Sequence, residues 1–362
     1  MKKLLIFSIL IFYPVTVFAH GNEHEATSST PNYTLIITLV LLVATLFISI
    51  YLWRKISKVL KIALVSFFIL LGILTTFLLL KSNEDNPVTF THIHGLGFSS
   101  DGTELLVPSH HGLNILHEDG HWTSASDFPQ HDYMGFSPTD NGFYSSGHPD
   151  PETDLKNPLG IIKSTDGGES IDFLTLYGEV DFHGMTVGYE THDIYVFNPQ
   201  PNSILTEPGF YYSTDEAKTW TRSSLTNMTG QATSLSAHPS TSGTVIVGTD
   251  QGAFLSNDYG KTMDKIGDFQ DVRSVYMDHE DKIWVSSYLN QKPTLSRLDS
   301  SSNHWENISL PEDIEAPILY VQQNPKNLDQ IVIATENRDI FISNDKANSW
   351  EVSVREGIAV KP

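Results

Sequence analysis

The sequence predicts an all-β chain: a six-bladed β-propeller preceded by a signal peptide and two transmembrane helices. Three observations lead there. A Ser-x-Asp phrase recurs at intervals of about forty-odd residues, the period of a propeller blade. Short β-branched or aromatic runs separated by turn residues fill the intervals. Long uncharged apolar runs are confined to the first eighty residues.

The N-terminal region comes first. Residues 1–19 have the pattern of a secretory signal: Lys2 and Lys3, an apolar stretch, and Val17-Phe18-Ala19 before His20. Residues 20–33 form a polar extracytoplasmic tail in which His20 and His24 are spaced to chelate a divalent ion, although a solvated tail needs no such role. Residues 34–53 and 62–80 carry no charge and are each long enough to span a bilayer. The loop between them, 54–61, holds Arg54, Lys55, Lys58 and Lys61 and no acid, which places it in the cytoplasm. Residues 81–87 are a short tether. Everything after it is then expected on the extracytoplasmic side of the cell membrane.

Residues 88–362 are the predicted propeller. The phrase appears as Ser164-x-Asp166, Ser213-x-Asp215, Ser256-x-Asp258 and Ser343-x-Asp345, the Asp positions 49, 43 and 87 residues apart. The last gap is about two periods, so a decayed copy is expected near Asp299 to Trp305, and a weaker one lies at Asp119-Gly120-His121-Trp122. Six innermost strands are expected near 91–96, 133–136, 182–185, 232–235, 272–276 and 317–321. The second strands follow at 104–107, 142–145, 193–197, 244–247, 282–285 and 330–334. The Asp phrase falls in the turn between the third and fourth strands. There the Ser and Asp side chains bond backbone N–H groups and a following Trp covers the blade. One Asp per blade at an outer turn cannot converge on a substrate, so Asp166, Asp215, Asp258 and Asp345 are read as structural.

These residues resemble the Asp-box (BNR) repeat of sialidases, of the sortilin ectodomain and of photosystem II assembly propellers. The wider stretch, including His92-Ile93-His94-Gly95, His131-Asp132-Tyr133-Met134-Gly135 and Asp181-Phe182-His183, resembles bacterial envelope proteins that carry a glycosyl-hydrolase-like label. The resemblance implies the fold. It implies hydrolysis only through that label. A true sialidase would need three convergent arginines, and the propeller has only Arg222, Arg273, Arg297, Arg338 and Arg355, with no Arg-Ile-Pro motif.

Composition narrows the function further. There is no Cys, which excludes disulfides, thiolate metal sites and Cys nucleophiles. Residues 1–87 hold seven Lys/Arg and four Asp/Glu; the remainder hold fifteen and 39, a net charge of −24. Such a body repels nucleic acid and attracts cations. No Gly-x-Ser-x-Gly elbow, phosphate loop or HExxH helix is present.

Histidine gives the positive signal. Seven of the fifteen fall on one face of three consecutive blades: His92 and His94, His131, and His183 at the starts of innermost strands, His110, His111 and His148 in the facing turns. Aligning the strands makes His94, Met134 and His183 equivalent, and likewise His92, Asp132 and Asp181. Residues two apart share a strand face. The candidate metal ligands are therefore His92, His94, His183, Asp132, Met134 and Asp181. Imidazole with carboxylate suits zinc, and a thioether favours copper. His110, His111, His131, His148 and Arg273 are candidate ligand-binding residues, and no catalytic residue is assigned. The bland alternative is a polar network lining a wet channel. Three functions follow: a module binding a metal or a ligand held by it; a hydrolase of envelope or external glycans; or a scaffold for an envelope protein complex.

Overall fold

The computed structural model describes residues 57–82, 87–125, 128–299 and 304–361. The chain divides into two compact units, Met1–Asp85 and Asn86–Pro362. In the first, one helix is described, α1 (Lys58–Ser82), 25 residues long. Among the described residues no helix is long and apolar enough to cross a membrane. The predicted signal peptide, tail and first span lie outside the described residues, as do the side chains of the second span from 74 onward.

The second unit is a six-bladed propeller of antiparallel sheets. Blade 1 comprises β1 (Gly97–Phe98), β2 (Leu105–Ser109), β3 (Gly112–Leu116) and β4 (Trp122–Ser124). Blade 2 comprises β5 (Asp132–Thr139), β6 (Gly142–His148), β7 (Ile161–Ser164) and β8 (Asp172–Thr175). Blade 3 comprises β9 (Met185–Val187), β10 (Ile194–Asn198), β11 (Gly209–Ser213) and β12 (Thr221–Ser223). Blade 4 comprises β13 (Ala232–Ala237), β14 (Val245–Thr249), β15 (Gly252–Ser256) and β16 (Asp264–Ile266). Blade 5 comprises β17 (Val272–Met277), β18 (Lys282–Leu289), β19 (Lys292–Asp299) and β20 (His304–Asn307). Blade 6 comprises β21 (Ile318–Gln323), β22 (Ile331–Thr335), β23 (Ile340–Ser343), β24 (Glu351–Arg355) and a fifth strand, β25 (Ile358–Ala359).

The second strands of the blades are largely buried. β2, β14 and β22 are covered along their whole length, because both sheet faces pack against neighbouring blades. That is why these strands read as unbroken apolar runs rather than as alternations. Hydroxyls tie adjacent blades where no strand pairing exists. Ser146 Oγ accepts from Phe182 N at 2.8 Å, Ser234 Oγ from Val275 N at 3.0 Å, and Tyr276 OH from Gln323 N at 3.2 Å.

The four Asp phrases adopt one geometry. In blade 4, Ser256 Oγ donates to Asp258 Oδ1 at 2.8 Å and accepts from Gly260 N at 2.8 Å. Asp258 in turn accepts from Thr262 N at 2.9 Å. Blades 2, 3 and 6 repeat these bonds at Asp166, Asp215 and Asp345. The bonds favour the ionised acids: the Thr219 hydroxyl and N–H hold Asp215 down at about 2. Trp220 packs on the core between blades 2 and 3, and Trp350 on the core between blades 5 and 6.

The ring closes through both ends of the second unit. Thr89 bridges Ile358 antiparallel, Phe90 N donates to Gly357 O at 2.7 Å, and Ala359 N donates to Val88 O at 2.9 Å. Phe90, Ile93, Val107, Val332, Val354 and Ala359 share one buried cluster across the seam of blades 6 and 1.

Candidate metal centre at the axial mouth

The axial cavity has a volume of about 740 Å³. Every blade contributes to it, through Leu96, Phe136, Met185, Leu235, Val275 and Tyr320 in turn. His94, Asp181 and His183 also line it.

Three side chains converge at this mouth. The segment before β1 is pinned by His94 N donating to Pro108 O at 3.0 Å. The turn from β2 to β3 carries His110 and His111 and is closed by Gly112, at φ 78°. Asp132 opens β5. His94 Nε2 lies 3.3 Å from His110 Nδ1 and 3.4 Å from Asp132 Oδ1. His110 Nδ1 lies 3.0 Å from Asp132 Oδ2. One ligand atom from each of these residues lies within 4.8 Å of the other two. Asp132 Oδ1 is buried and makes no hydrogen bond.

The charge balance favours a cation. Burial drives the His94 imidazole down to about 4; Asp132 pulls it up, while His110, His92 and His183 press it lower. His94 is therefore neutral at neutral pH. His94 Nε2 and His110 Nδ1 both face the Asp132 carboxylate, so two ring nitrogens and one acid share the same small space. Two imidazole nitrogens and a carboxylate oxygen are a donor set that fits zinc or copper(II).

A second group adjoins the first. His148, at the end of β6, places Nε2 3.4 Å from Asp181 Oδ2, and His183 places Nε2 3.3 Å from the same oxygen. Asp181 Oδ1 is also buried without a hydrogen bond. Burial raises the Asp181 carboxyl, opposed by His183, His148 and Ser146 and assisted by Asp132.

The structure reorders the predicted ligand set. His94 and Asp132 meet, but their nearest partner is His110, which the sequence placed among general ligand-binding residues. His92 is exposed and lies beside them, edge-to-face with His110 at a ring-centroid distance of 4.6 Å. His183 and Asp181 belong to the second group, with His148. Met134 is 8% exposed and is not among the cavity-lining residues, so the thioether argument for copper loses its basis. A bulge between Met134 and Ser137, with Gly135 at φ 57°, breaks the alternation on which its alignment with His94 rested.

His131 is a further correction. It is buried, and its Nδ1 accepts from Asp150 N at 2.9 Å, so it anchors a turn rather than meeting a ligand. His111 is exposed. Arg273 pairs with Asp271 at 2.9 Å and lies over the Tyr288 ring.

No protein-family model matches the chain, and no curated protein matches it. Among solved structures it is similar to a GH74 enzyme of Niastella koreensis, with a TM-score of 0.50 and 14% identity over 74% of this chain. The match spans 46% of that enzyme's length. It is also similar to YCF48 bound to a D1 peptide, with a TM-score of 0.43, 15% identity, and 75% and 85% of the two chains covered. For YCF48 from Cyanidioschyzon merolae the TM-score is 0.44, the identity 14%, and the shares 75% and 87%. At these identities the likeness to the Niastella enzyme shows a β-propeller fold and nothing about substrate.

Proposed function

We propose that this protein is a membrane-anchored Asp-box propeller whose axial mouth binds a divalent transition metal, zinc or copper(II), or a ligand held through that metal. The observation that carries the reading is the group of His94 Nε2, His110 Nδ1 and an Asp132 oxygen within 4.8 Å of one another. The buried Asp132 Oδ1, which faces His94 Nε2 at 3.4 Å without a hydrogen bond, supports it, since a buried carboxylate oxygen gains from a cation. The acidic body would concentrate cations at the mouth. The cavity below leaves room for a small organic ligand on an open coordination position.

The four equivalent Asp turns support Asp-box membership. For the membrane, the uncharged run 62–80 and the exposed Ile62, Phe67, Ile69, Leu70 and Ile73 support the reading. With the basic loop cytoplasmic, the propeller faces the extracytoplasmic side, and nucleic acid is not a partner.

The test is elemental analysis of the full chain, purified in detergent, chelator-stripped and reloaded with zinc or copper(II). Stoichiometric metal that is lost in a His94→Ala/His110→Ala variant is expected. Equal metal in wild type and variant would refute the reading.

A further inference from the structure

We infer that the axial cavity binds a neutral, largely apolar organic molecule whose carbonyl oxygen accepts a hydrogen bond from Tyr189, at the end away from the metal mouth. The site stands on its own residues and needs no metal.

The cavity follows the innermost strands. His183 lies just before β9 and Tyr189 just after it, and both line the same space. The step from one to the other is six residues, up to about 20 Å of extended chain. The wall between is apolar, with Met185, Val187, Leu235, Val275, Met277 and Leu319. Among the described lining residues there is no Lys, Arg or Glu, and the one carboxylate, Asp181, stands near the His183 end. A charged ligand meets no countercharge below that mouth, and burying it there would forfeit its hydration. The volume of about 740 Å³ suits a small organic molecule largely covered by its host.

The far end offers hydrogen-bond donors. Tyr189 is 7% exposed, and its hydroxyl is buried without a hydrogen bond. Such a group is costly until a ligand meets it. Burial, then the charges of Asp140 and Glu190, push the phenol up to about 12, so it keeps its proton. Tyr276 also lines the cavity, and its hydroxyl accepts from Gln323 N at 3.2 Å and from Gln322 Nε2 at 3.3 Å. Both lone pairs are then used, which leaves that hydroxyl its hydrogen to give. Burial, then Asp278 and Tyr189, raise the Tyr276 phenol, so the two hydroxyls share one neighbourhood. His279 closes this end edge-to-face with Tyr189, at a ring-centroid distance of 4.8 Å. Burial, then Lys326 and His238, hold its imidazole down at about 4, so it brings no charge at neutral pH. A carbonyl oxygen accepts two hydrogen bonds and adds no donor of its own, which matches a pair of phenolic hydrogens.

The probes are 2-acetyl-6-fluoronaphthalene and its carbonyl-free match, 2-ethyl-6-fluoronaphthalene. Each is titrated by fluorine NMR into the full chain in detergent, stripped with chelator. Leu319→Trp sets the baseline, which includes probe taken up by the micelle. Leu319 lines the cavity and lies outside both cores that flank blade 6, so a larger side chain there fills the space. Wild type is expected to bind both probes above that baseline. Tyr189→Phe should weaken the ketone about 5- to 10-fold, the loss of one hydrogen bond, and leave the hydrocarbon unchanged. Its melting temperature without probe should not fall below wild type, because the hydroxyl it removes is unpaired. Wild-type binding equal to Leu319→Trp would overturn the site. Tyr189→Phe acting equally on both probes, or on neither, would overturn the carbonyl assignment. That comparison needs no filled cavity, so it tests the site even if Leu319→Trp does not fold. His94→Ala/His110→Ala should bind the ketone as wild type does. A loss there would put the ligand at the metal mouth and overturn this site, while the metal reading stands or falls on its own elemental analysis.

Discussion

His110 Nδ1 lies 3.0 Å from Asp132 Oδ2, and the contact crosses from one blade to the next. His110 belongs to a turn of blade 1 and Asp132 to the innermost strand of blade 2. An ion held by both, with His94, is therefore a cross-link between blades. Zinc should raise the melting temperature of the wild-type chain. At a free concentration 100-fold above Kd the gain should be about 2.7 kcal/mol. Asp132→Ala should abolish the zinc-dependent shift, read by calorimetry with and without chelator.

Gly147 faces Asp132 at φ 119°, and a Cβ there would come 1.9 Å from the Asp132 carbonyl oxygen. Backbone cannot yield as a flexible side chain does. Gly147→Ala should cost about 2 kcal/mol or more and weaken metal uptake by shifting Asp132. A denaturation midpoint equal to wild type would contradict this.

The Asp turns are structural, so damage to one should lower stability and leave the mouth intact. Ser256 is 2% exposed, and its Oγ is the acceptor for Gly260 N. Ser256→Ala should cost about 1–3 kcal/mol, the penalty of an unmet buried N–H, with unchanged zinc stoichiometry. Denaturant titration and metal analysis on one preparation check both halves.

His279 sets a pH dependence. Burial, then Lys326 and His238, hold its imidazole down at about 4. Its value in the unfolded chain is about 6.5, so the unfolded chain binds the proton first as pH falls. The stability it contributes is present above about pH 6.5 and is lost progressively toward pH 4, by on the order of 3 kcal/mol at most. His94 and His131 are shifted the same way. His279→Gln should flatten part of the fall in midpoint between pH 6.5 and 4 in metal-free protein. A slope identical to wild type would remove His279 from the account.

The ring seam offers a fifth check. Ala359 is 9% exposed within the shared core of blades 6 and 1. Ala359→Asp places an unpaired charge there and should cost several kcal/mol, about 3–5 by analogy with other uncompensated buried charges. Protease sensitivity near the seam should rise with it.

Much of the fold was legible because its turns are chemically explicit. Ser-x-Asp closes the same bonds in four blades, and the spacing counts the rest. The closing strand was not legible: Ile358–Ala359 is two residues long and pairs with a segment at the far end of the propeller. At the mouth, sequence located the face and the blades of the histidines, since innermost strands and their facing turns must meet there. It could not choose between His110 and His111, because the turn conformation at Gly112 decides which imidazole points inward. It aligned Met134 with His94 because a bulge is silent in sequence, and it could not show that a backbone N–H bonds the His131 ring nitrogen.

The clasp between Thr89 and Ile358 also bears on how the molecule is made. On the ribosome, the 88–90 segment emerges first among the propeller's residues, and its partner strand emerges last. Until then Phe90 and Ile93 have no Val354 or Ala359 to pack against, and the edge of blade 6 stays open. The circle cannot be completed by a chain that stops early. A chain that stops before Ile358 should therefore lack a closed seam.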